Sequence, residues 1–406
     1  TLVKTVTNDN GGTALPTAWT LTASGPTTGV SGATGSGSVT SVPVKIGDYT
    51  LAESGGPSGY TAGDWQCTGA TSQTGSSVKV GLGQNVTCTI NNNDQAATLS
   101  LTKIVVNEHG GTAVATDWRL QAGGAVTLAG NGGVAATSVP AGTYVLTETG
   151  GPTGYTPSAW TCTGATVSGN QVVVPNGGTV ACKITNSDQA GKLTLVKTVT
   201  NDHGGTALPT AWTLTAAGPT PISGTTGAAA VTNAAVSAGE YTLAETGGPA
   251  GYTASAWTCT GAAASNGKVT VPNGGDVVCT INNDDQAGHL TLVKTVTNDN
   301  GGTALPTAWT LTASGPTTIS GTTGSADVTN VAVNAGKYAL AEANGPAGYT
   351  AGAWSCTGAT AAKQDAGLGL GDLKRRVHFG QEGAHQQSRS HARGQLAIRS
   401  RAVQRL

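Results

Sequence analysis

The chain has no methionine, a single phenylalanine and little charge: of its 406 residues, 10% are Asp, Glu, Lys or Arg. Basic and acidic residues nearly cancel, 20 against 21, leaving a net charge of −1. Outside the last few dozen residues there is no basic stripe, which excludes the usual surface for nucleic acid. No apolar run approaches the length of a membrane span. The absence of methionine means that Thr1 is not a natural start, and the chain reads as a piece whose N-terminal region, with any signal peptide, lies outside it. No metal cluster, Ser/His/Asp set or phosphate loop is visible, so neither a metal, nor a cofactor, nor catalysis on an external substrate is expected.

What the chain does have is repetition. Leu2-Val3-Lys4-Thr5-Val6 returns around Lys103, Lys197 and Lys294, each lysine with Leu two before and Val two after. Tyr49-Thr50-Leu51-Ala52-Glu53 returns around Glu148, Glu245 and Glu342, and Thr89-Ile90-Asn91-Asn92 returns at Asn186 and Asn283 and then stops. The period is about 97 residues, enough for a small domain with its own core. Within a unit, apolar residues alternate with a period of two between Gly, Pro, Asn and Ser clusters, the pattern of a β-sandwich. The reading is a tandem array: repeats over residues 1–97, 98–190 and 191–288, an incomplete fourth over 289–362, and a basic tail over 363–406. The joints, such as Asp94-Gln95-Ala96, are short and lack the Gly/Ser bias of a flexible linker, so the domains should sit end to end with limited swivel. Two tryptophans and two tyrosines recur in every unit, as core and corner residues. The Asn8-Asp9-Asn10-Gly11-Gly12 loop offers oxygens for calcium, but each copy brings only one clear acid, and Asn, Asp and Gly are also what a tight turn needs.

Cysteines follow the same count. Cys67 and Cys88, Cys162 and Cys182, and Cys259 and Cys279 form one matched pair per unit, while Cys356 has no mate. No unit supplies the four clustered ligands of a zinc site, so disulfides in an oxidising, extracellular setting are expected.

The chemistry lies in three polar residues placed where a strand would put carbon. In an extended strand Leu2, Lys4 and Val6 share a face, as do Tyr49, Leu51 and Glu53, and Val86, Cys88, Ile90 and Asn92. An amine, a carboxyl and a carboxamide buried singly would each be costly, so they should meet. Burial disfavours both charges and makes a neutral amine–carboxyl pair accessible. A neutral amine is a nucleophile, and a carboxyl can polarise the carboxamide and relay protons. Attack of the lysine on the asparagine would expel ammonia and leave a side-chain amide. Two other readings stay open: the lysine snorkels at a strand edge with the glutamate as its ion pair, or Asn91 is the inward residue, one register away.

These strings, above all Tyr-x-Leu-x-Glu followed by Gly56-Pro57-Ser58-Gly59-Tyr60, resemble the prealbumin-like, collagen-adhesin B-type (SpaA-like) domains of Gram-positive surface proteins and pilins. The resemblance covers three units fully and the fourth up to its last strand. It implies an all-β fold of Ig-like sandwiches and an intramolecular isopeptide bond between lysine and asparagine, promoted by glutamate. Carried over, the sets are Lys4, Glu53 and Asn92; Lys103, Glu148 and Asn186; Lys197, Glu245 and Asn283. Lys294 and Glu342 would have lost their asparagine. The paired cysteines depart from the common pattern, and a disulfide could take over part of the stapling.

The tail breaks the pattern, holding seven of the eight arginines and the only Phe, Phe379. Read one nucleotide later, Arg375-Arg376-Val377-His378 can encode Val-Val-Cys-Thr, the string at Val277-Val278-Cys279-Thr280, so the tail is expected to be out of frame and unit four to lack its closing strand. For function, near-identical units argue for a structural stalk on a cell surface or cell wall. The alternative is an adhesin whose variable region between Pro26 and Val42 binds a host matrix protein or a glycan.

Overall fold

The computed structural model describes residues 1–358 and, beyond them, the strand residues 360–362, 365–368, 375–383 and 394–395. It divides into two compact units, Thr1–Gln189 and Ala190–Leu406. Every repeat is a sandwich of two β-sheets, and no α-helix occurs among the described residues.

Repeat one shows the plan. Its first sheet sets the opening strand Leu2–Thr7 beside the closing strand Thr87–Asp94, which also pairs with Tyr60–Ala62 and Gln66–Thr68. The second sheet runs Val30–Gly32, Trp19–Ser24, Gly47–Gly55, Ser77–Val80, Ser72–Thr74. Alternation dictates which side chains go in. Trp19, Leu21 and Ala23 are buried while Thr20 and Ser24 face water. The core between the sheets gathers Leu2, Leu21, Tyr49, Leu51, Val78 and Ile90, and the other three repeats repeat this core.

Two features of this topology position the site. The opening and closing strands are parallel neighbours, with Leu2 opposite Cys88, Lys4 opposite Ile90 and Val6 opposite Asn92. A parallel pair needs a crossover connection, and here the crossover is the rest of the domain. The closing strand of one repeat also passes almost directly into the opening strand of the next: only Gln95 and Ala96 separate Thr87–Asp94 from Ala97–Val106.

The cysteines pair as their spacing suggests, Cys67 with Cys88, Cys162 with Cys182 and Cys259 with Cys279. In each case they stand directly opposite on antiparallel strands. Loops of 20 or 21 residues are closed, worth about 3 kcal/mol each through the unfolded chain. A Cys162→Ala/Cys182→Ala double variant should therefore lose about 3 kcal/mol in the second repeat, read as a lower midpoint in denaturant. An unchanged midpoint would mean that the bond does not constrain the unfolded chain. Cys356 is free, and burial pushes its thiol up to about 11.

The fourth repeat corrects one expectation. Its closing strand is not missing: Arg375–Gly383 runs parallel to Gly288–Lys294, with Leu290 opposite Arg375 and Lys294 opposite Phe379. In repeat three, Leu193 is opposite Val277 and Lys197 opposite Ile281. The tail thus enters in the register of a true closing strand, which backbone hydrogen bonds permit whatever the side chains. Val377 stands opposite Cys356, where the other repeats have their second cysteine, and Gln381 takes the register of Asn283. The rest of the tail, for which disorder or a shifted frame is expected, lies largely outside the described residues.

Candidate functional site

In each complete sandwich the lysine and the asparagine are buried and the lysine meets its glutamate, and in repeat two all three come together. Lys4, Lys103, Lys197 and Lys294 are buried, as are Asn92, Asn186 and Asn283. Each lysine Nζ lies 2.6 or 2.7 Å from Oε2 of its glutamate: Lys4 with Glu53, Lys103 with Glu148, Lys197 with Glu245 and Lys294 with Glu342. The lysine comes from the opening strand of one sheet. The glutamate comes from the other sheet, where Glu53 pairs with Leu21 of Trp19–Ser24. The asparagine comes from the closing strand, one pleat beyond the residue facing the lysine.

Repeat two shows the most complete arrangement. Oε2 of Glu148 faces the Lys103 amine at 2.7 Å, while Oε1 accepts a hydrogen bond from Nδ2 of Asn186 at 2.7 Å. One carboxylate therefore touches both the amine and the carboxamide. The carbonyl oxygens of Asn92, Asn186 and Asn283 are buried with no hydrogen-bond partner. An unsatisfied buried acceptor is expensive, and here it recurs in all three repeats at the same atom.

Register separates Asn92 from Asn91. Asn91 faces outward, where Oδ1 accepts a hydrogen bond from the Thr5 hydroxyl at 2.9 Å. The snorkelling alternative does not fit either, because each lysine side chain has no exposed surface. All four lysines sit below the ordinary lysine value, since the loss of water around the ammonium outweighs the hydrogen bond and the charge of the facing glutamate.

Two further groups surround the site, neither placed there by the sequence reading. The first is a tryptophan over each amine. Lys4, Lys103, Lys197 and Lys294 lie 4.9, 4.7, 4.9 and 4.6 Å from the ring centres of Trp19, Trp118, Trp212 and Trp309. A short turn, Pro16–Ala18, delivers Trp19 to the head of its strand. The indole excludes water and offers its face to a cation. Gly56 seals its edge: a Cβ there would fall 2.3 Å from the indole, and its φ of +78° favours glycine in any case.

The second is a buried aspartate two residues after each asparagine. Asp94 accepts hydrogen bonds from the backbone N–H of Asp9 at 3.0 Å, Asn10 at 2.8 Å and Gly12 at 2.7 Å. Asp188 and Asp285 do the same for the turns at 108–111 and 202–205. The Asn-Asp-x-Gly-Gly loop is thereby closed by a carboxylate rather than opened to a cation. In repeat three Asp202, His203, Asp284 and Asp285 bring ligand atoms within 4.8 Å of one another. Both Asp285 oxygens are already engaged by backbone N–H groups, so this group too reads as turn closure. Tyr60 links the two features: its hydroxyl donates to Oδ1 of Asn8 and its ring meets Trp19 edge-on at 5.3 Å. The signal for the aspartate was present as the same alternation carried one step further, Ile90, Asn92, Asp94.

The model of the prealbumin-like fold domain matches residues 1–90, 94–184, 188–281 and 285–373. The chain belongs to this family. Its four prealbumin-like repeats fill most of the sequence, as the strings around lysine, glutamate and asparagine imply. Among solved structures it is similar to the TIE protein of Bacillus anthracis, at 18% identity over 83% of this chain and 60% of that one, with a TM-score of 0.45. The chain thus spans under two thirds of that protein's length. The major pilin T-13 of Streptococcus pyogenes is 18% identical over 46% of this chain and 96% of its own, with a TM-score of 0.25. Two B repeats of the collagen-binding protein of Staphylococcus aureus are 13% identical over 94% and 98%, with a TM-score of 0.21. Likenesses this distant say nothing about role. No curated protein matches.

Proposed function

We propose that the chain is the stalk region of a surface protein, in which each of the first three repeats joins its opening and closing strands by a Lys–Asn amide that it makes itself. The observation that carries the reading is the glutamate of repeat two, which touches the amine of Lys103 with one oxygen and the carboxamide of Asn186 with the other.

The chemistry follows from the placement. Burial disfavours the Lys103 ammonium, and passage of its proton to Glu148 across the 2.7 Å contact leaves a neutral amine beside a carboxyl that now carries that proton. Turned over about its Cγ, the Asn186 carboxamide directs its orphaned carbonyl oxygen at Glu148, which donates its proton there and raises the electrophilicity of the carbon. The Lys103 amine attacks that carbon. An Nζ–Cγ bond forms, Glu148 carries a proton from Nζ to Nδ2, and as the Cγ–Nδ2 bond breaks and ammonia leaves, the oxygen returns its proton to Glu148 and the carbonyl re-forms. The tryptophan keeps water from competing. No cofactor or external reactant is needed, and the reaction happens once per domain.

The topology explains what such a bond would achieve. Tension on the chain enters a repeat at its opening strand and leaves at its closing strand. With Lys4 joined to Asn92, force crosses directly between these neighbours and the rest of the domain carries none. The disulfide cannot substitute, because Cys67–Cys88 leaves everything from the opening strand to Cys67 in the path of the force. The two staples are therefore not redundant: one shields the whole sandwich, the other only its last hairpin. The disulfides fit an oxidising environment outside the cell, and on this reading the variable loops between Pro26 and Val42 and their copies are spacers rather than ligand sites.

The test is a peptide map of the intact chain. After reduction and trypsin, the peptides holding Lys103 and Asn186 should be recovered as one branched species. Recovery of the two as separate peptides, each at its sequence mass, would overturn the proposal.

A further inference from the structure

Repeats three and four meet through a small joint. The N–H of Ala335 in repeat four donates to the carbonyl of His203 at 2.7 Å, and Nδ2 of Asn334 reaches the Asp202 carbonyl at 3.4 Å. Contact is close: a Cβ on Gly204 would lie 2.4 Å from the Ala335 oxygen. Repeats one and two build the same joint from the turn around Asn10, whose carbonyl receives the Ala141 N–H at 2.7 Å. In both joints the acceptor belongs to the turn that the buried aspartate closes, Asp285 in repeat three and Asp94 in repeat one.

The two joints differ in what can titrate. Nδ1 of His203 lies 2.7 Å from Oδ1 of Asp202 and 3.0 Å from the Asp285 carbonyl oxygen. Nδ2 of Asn10 makes the same two contacts, 2.7 Å to Oδ1 of Asp9 and 3.2 Å to the Asp94 carbonyl oxygen. An imidazole takes up a proton near neutrality, and an amide does not. Facing two acceptors, Nδ1 of His203 keeps its hydrogen, so the proton that comes and goes sits on Nε2 and both contacts survive its loss. What changes is the charge. Asp202 on the turn and Asp284 and Asp285 on the closing strand bring carboxylate oxygens, with the ring nitrogen, within 4.8 Å of one another. One oxygen of Asp284 is buried without a hydrogen-bond partner. Every lysine ion pair among the described residues goes to a glutamate, which leaves the ring as the counter-charge of these three acids. From Tyr252–Ala254 comes the Tyr252 hydroxyl, which donates to Asn201, and from repeat four come the neutral Asn334 and Ala335. Repeat one has Asn93 where repeat three has Asp284.

We propose that the joint between repeats three and four is a pH-responsive hinge, stiff while His203 is protonated and looser once the ring is neutral. The joint between repeats one and two is its pH-independent counterpart. Loss of water around the ring disfavours its charge, but Asp202 and Asp285 outweigh that and hold the ring above the ordinary histidine value of about 6.5. The stiffening is therefore complete below the ordinary value and is lost as the pH rises through the raised one. A neutral ring leaves three carboxylates crowded together, and Asp202, whose side chain is 63% exposed, is the one that can swing into water. Its backbone carbonyl is one of the two acceptors of the joint, so that movement loosens the hold on repeat four. This proposal does not depend on the Lys–Asn bond.

Amide exchange of the whole chain tests it, read residue by residue between about pH 5.5 and 8.5 and corrected for the intrinsic rate at each pH. Protection at Ala335 and Gly205 should fall by about two- to fivefold as the pH rises across that interval, the factor that a partly exposed charge pair supplies. Ala141 and Gly12, in the joint built on Asn10, should keep theirs. His203→Asn, which copies the amide of repeat one, should flatten the profile at Ala335. Asp284→Asn should move the fall to lower pH, because the ring holds its proton less tightly with one acid fewer beside it. Equal profiles at Ala335 and Ala141 in the wild-type chain would overturn the proposal without recourse to any variant. So would a fall at Ala335 that persists in His203→Asn, since another group would then be titrating.

Discussion

Intact, reduced protein should weigh less than its sequence requires by one ammonia for each repeat that pairs a lysine with an asparagine, three in all. Any one of Lys103→Ala, Glu148→Ala or Asn186→Ala should bring the deficit down to two. The glutamate variant is the informative one. It leaves both reacting groups in place, so a deficit that stays at three would remove Glu148 from the reaction while keeping the bond. A wild-type mass equal to the sequence mass would remove the bond. The consequence for stability is large, because the amide closes a loop of roughly 80 residues, worth about 4–5 kcal/mol on the chain-entropy model. That exceeds the contribution of the disulfide in the same repeat. The second repeat of Asn186→Ala should therefore unfold well before the first and third, and denaturation followed repeat by repeat would show one early transition where the wild type has none.

Much of this was legible before any coordinates. Strand alternation alone puts Lys4, Glu53 and Asn92 inward, and the structure places all three there, because a period of two leaves a side chain only two choices and the flanking Leu, Tyr and Ile fix which one. The cysteine pairs were legible for the same reason, each being matched within a unit. The aspartate at the end of the closing strand was not recognised, although the same alternation reaches it. Asp94 precedes Gln-Ala at a domain boundary, where polar residues are ordinarily solvated, and only the folded-back turn reveals that it is buried. The tryptophan over the amine was assigned to the core because nothing local in Trp19-Thr20-Leu21 indicates what crosses its face. That contact joins two sheets and depends on how they stack. The closing strand of repeat four escaped for the opposite reason. Its side chains break every repeat rule, yet the vacant ladder beside Gly288–Lys294 selects for backbone hydrogen bonding and accepts an unrelated sequence.

The buried aspartate should prove consequential as well. Asp94 gathers three backbone N–H groups of the turn at 9–12, and Asp94→Ala would strand all three. An orphaned buried donor costs about 1–3 kcal/mol, and because Asp9 is exposed and Asn10 and Gly12 only half-buried, water makes good part of the loss and the first repeat should lose on the order of 1–3 kcal/mol in all. The turn also carries the Asn10 carbonyl that receives Ala141 of repeat two at 2.7 Å, and amide exchange should therefore quicken at Asn10, Gly12 and Ala141 together. The acid response has a definite sign. Burial by itself would raise the carboxyls of Asp94, Asp188 and Asp285, but the backbone N–H groups outweigh it and hold all three below the ordinary aspartate value. The unfolded chain then binds more protons than the folded one in the interval between the two values. The stabilisation is complete above the ordinary value of about 3.9 and disappears as the pH falls through the depressed folded value. These three carboxyls add no pH dependence near neutrality and their contribution falls away only below that point, whereas Asp94→Asn should show a first repeat that is weaker at neutral pH and has lost this part of its acid dependence. An Asp94→Asn repeat that weakened with acid as steeply as the wild type would place the titrating group elsewhere.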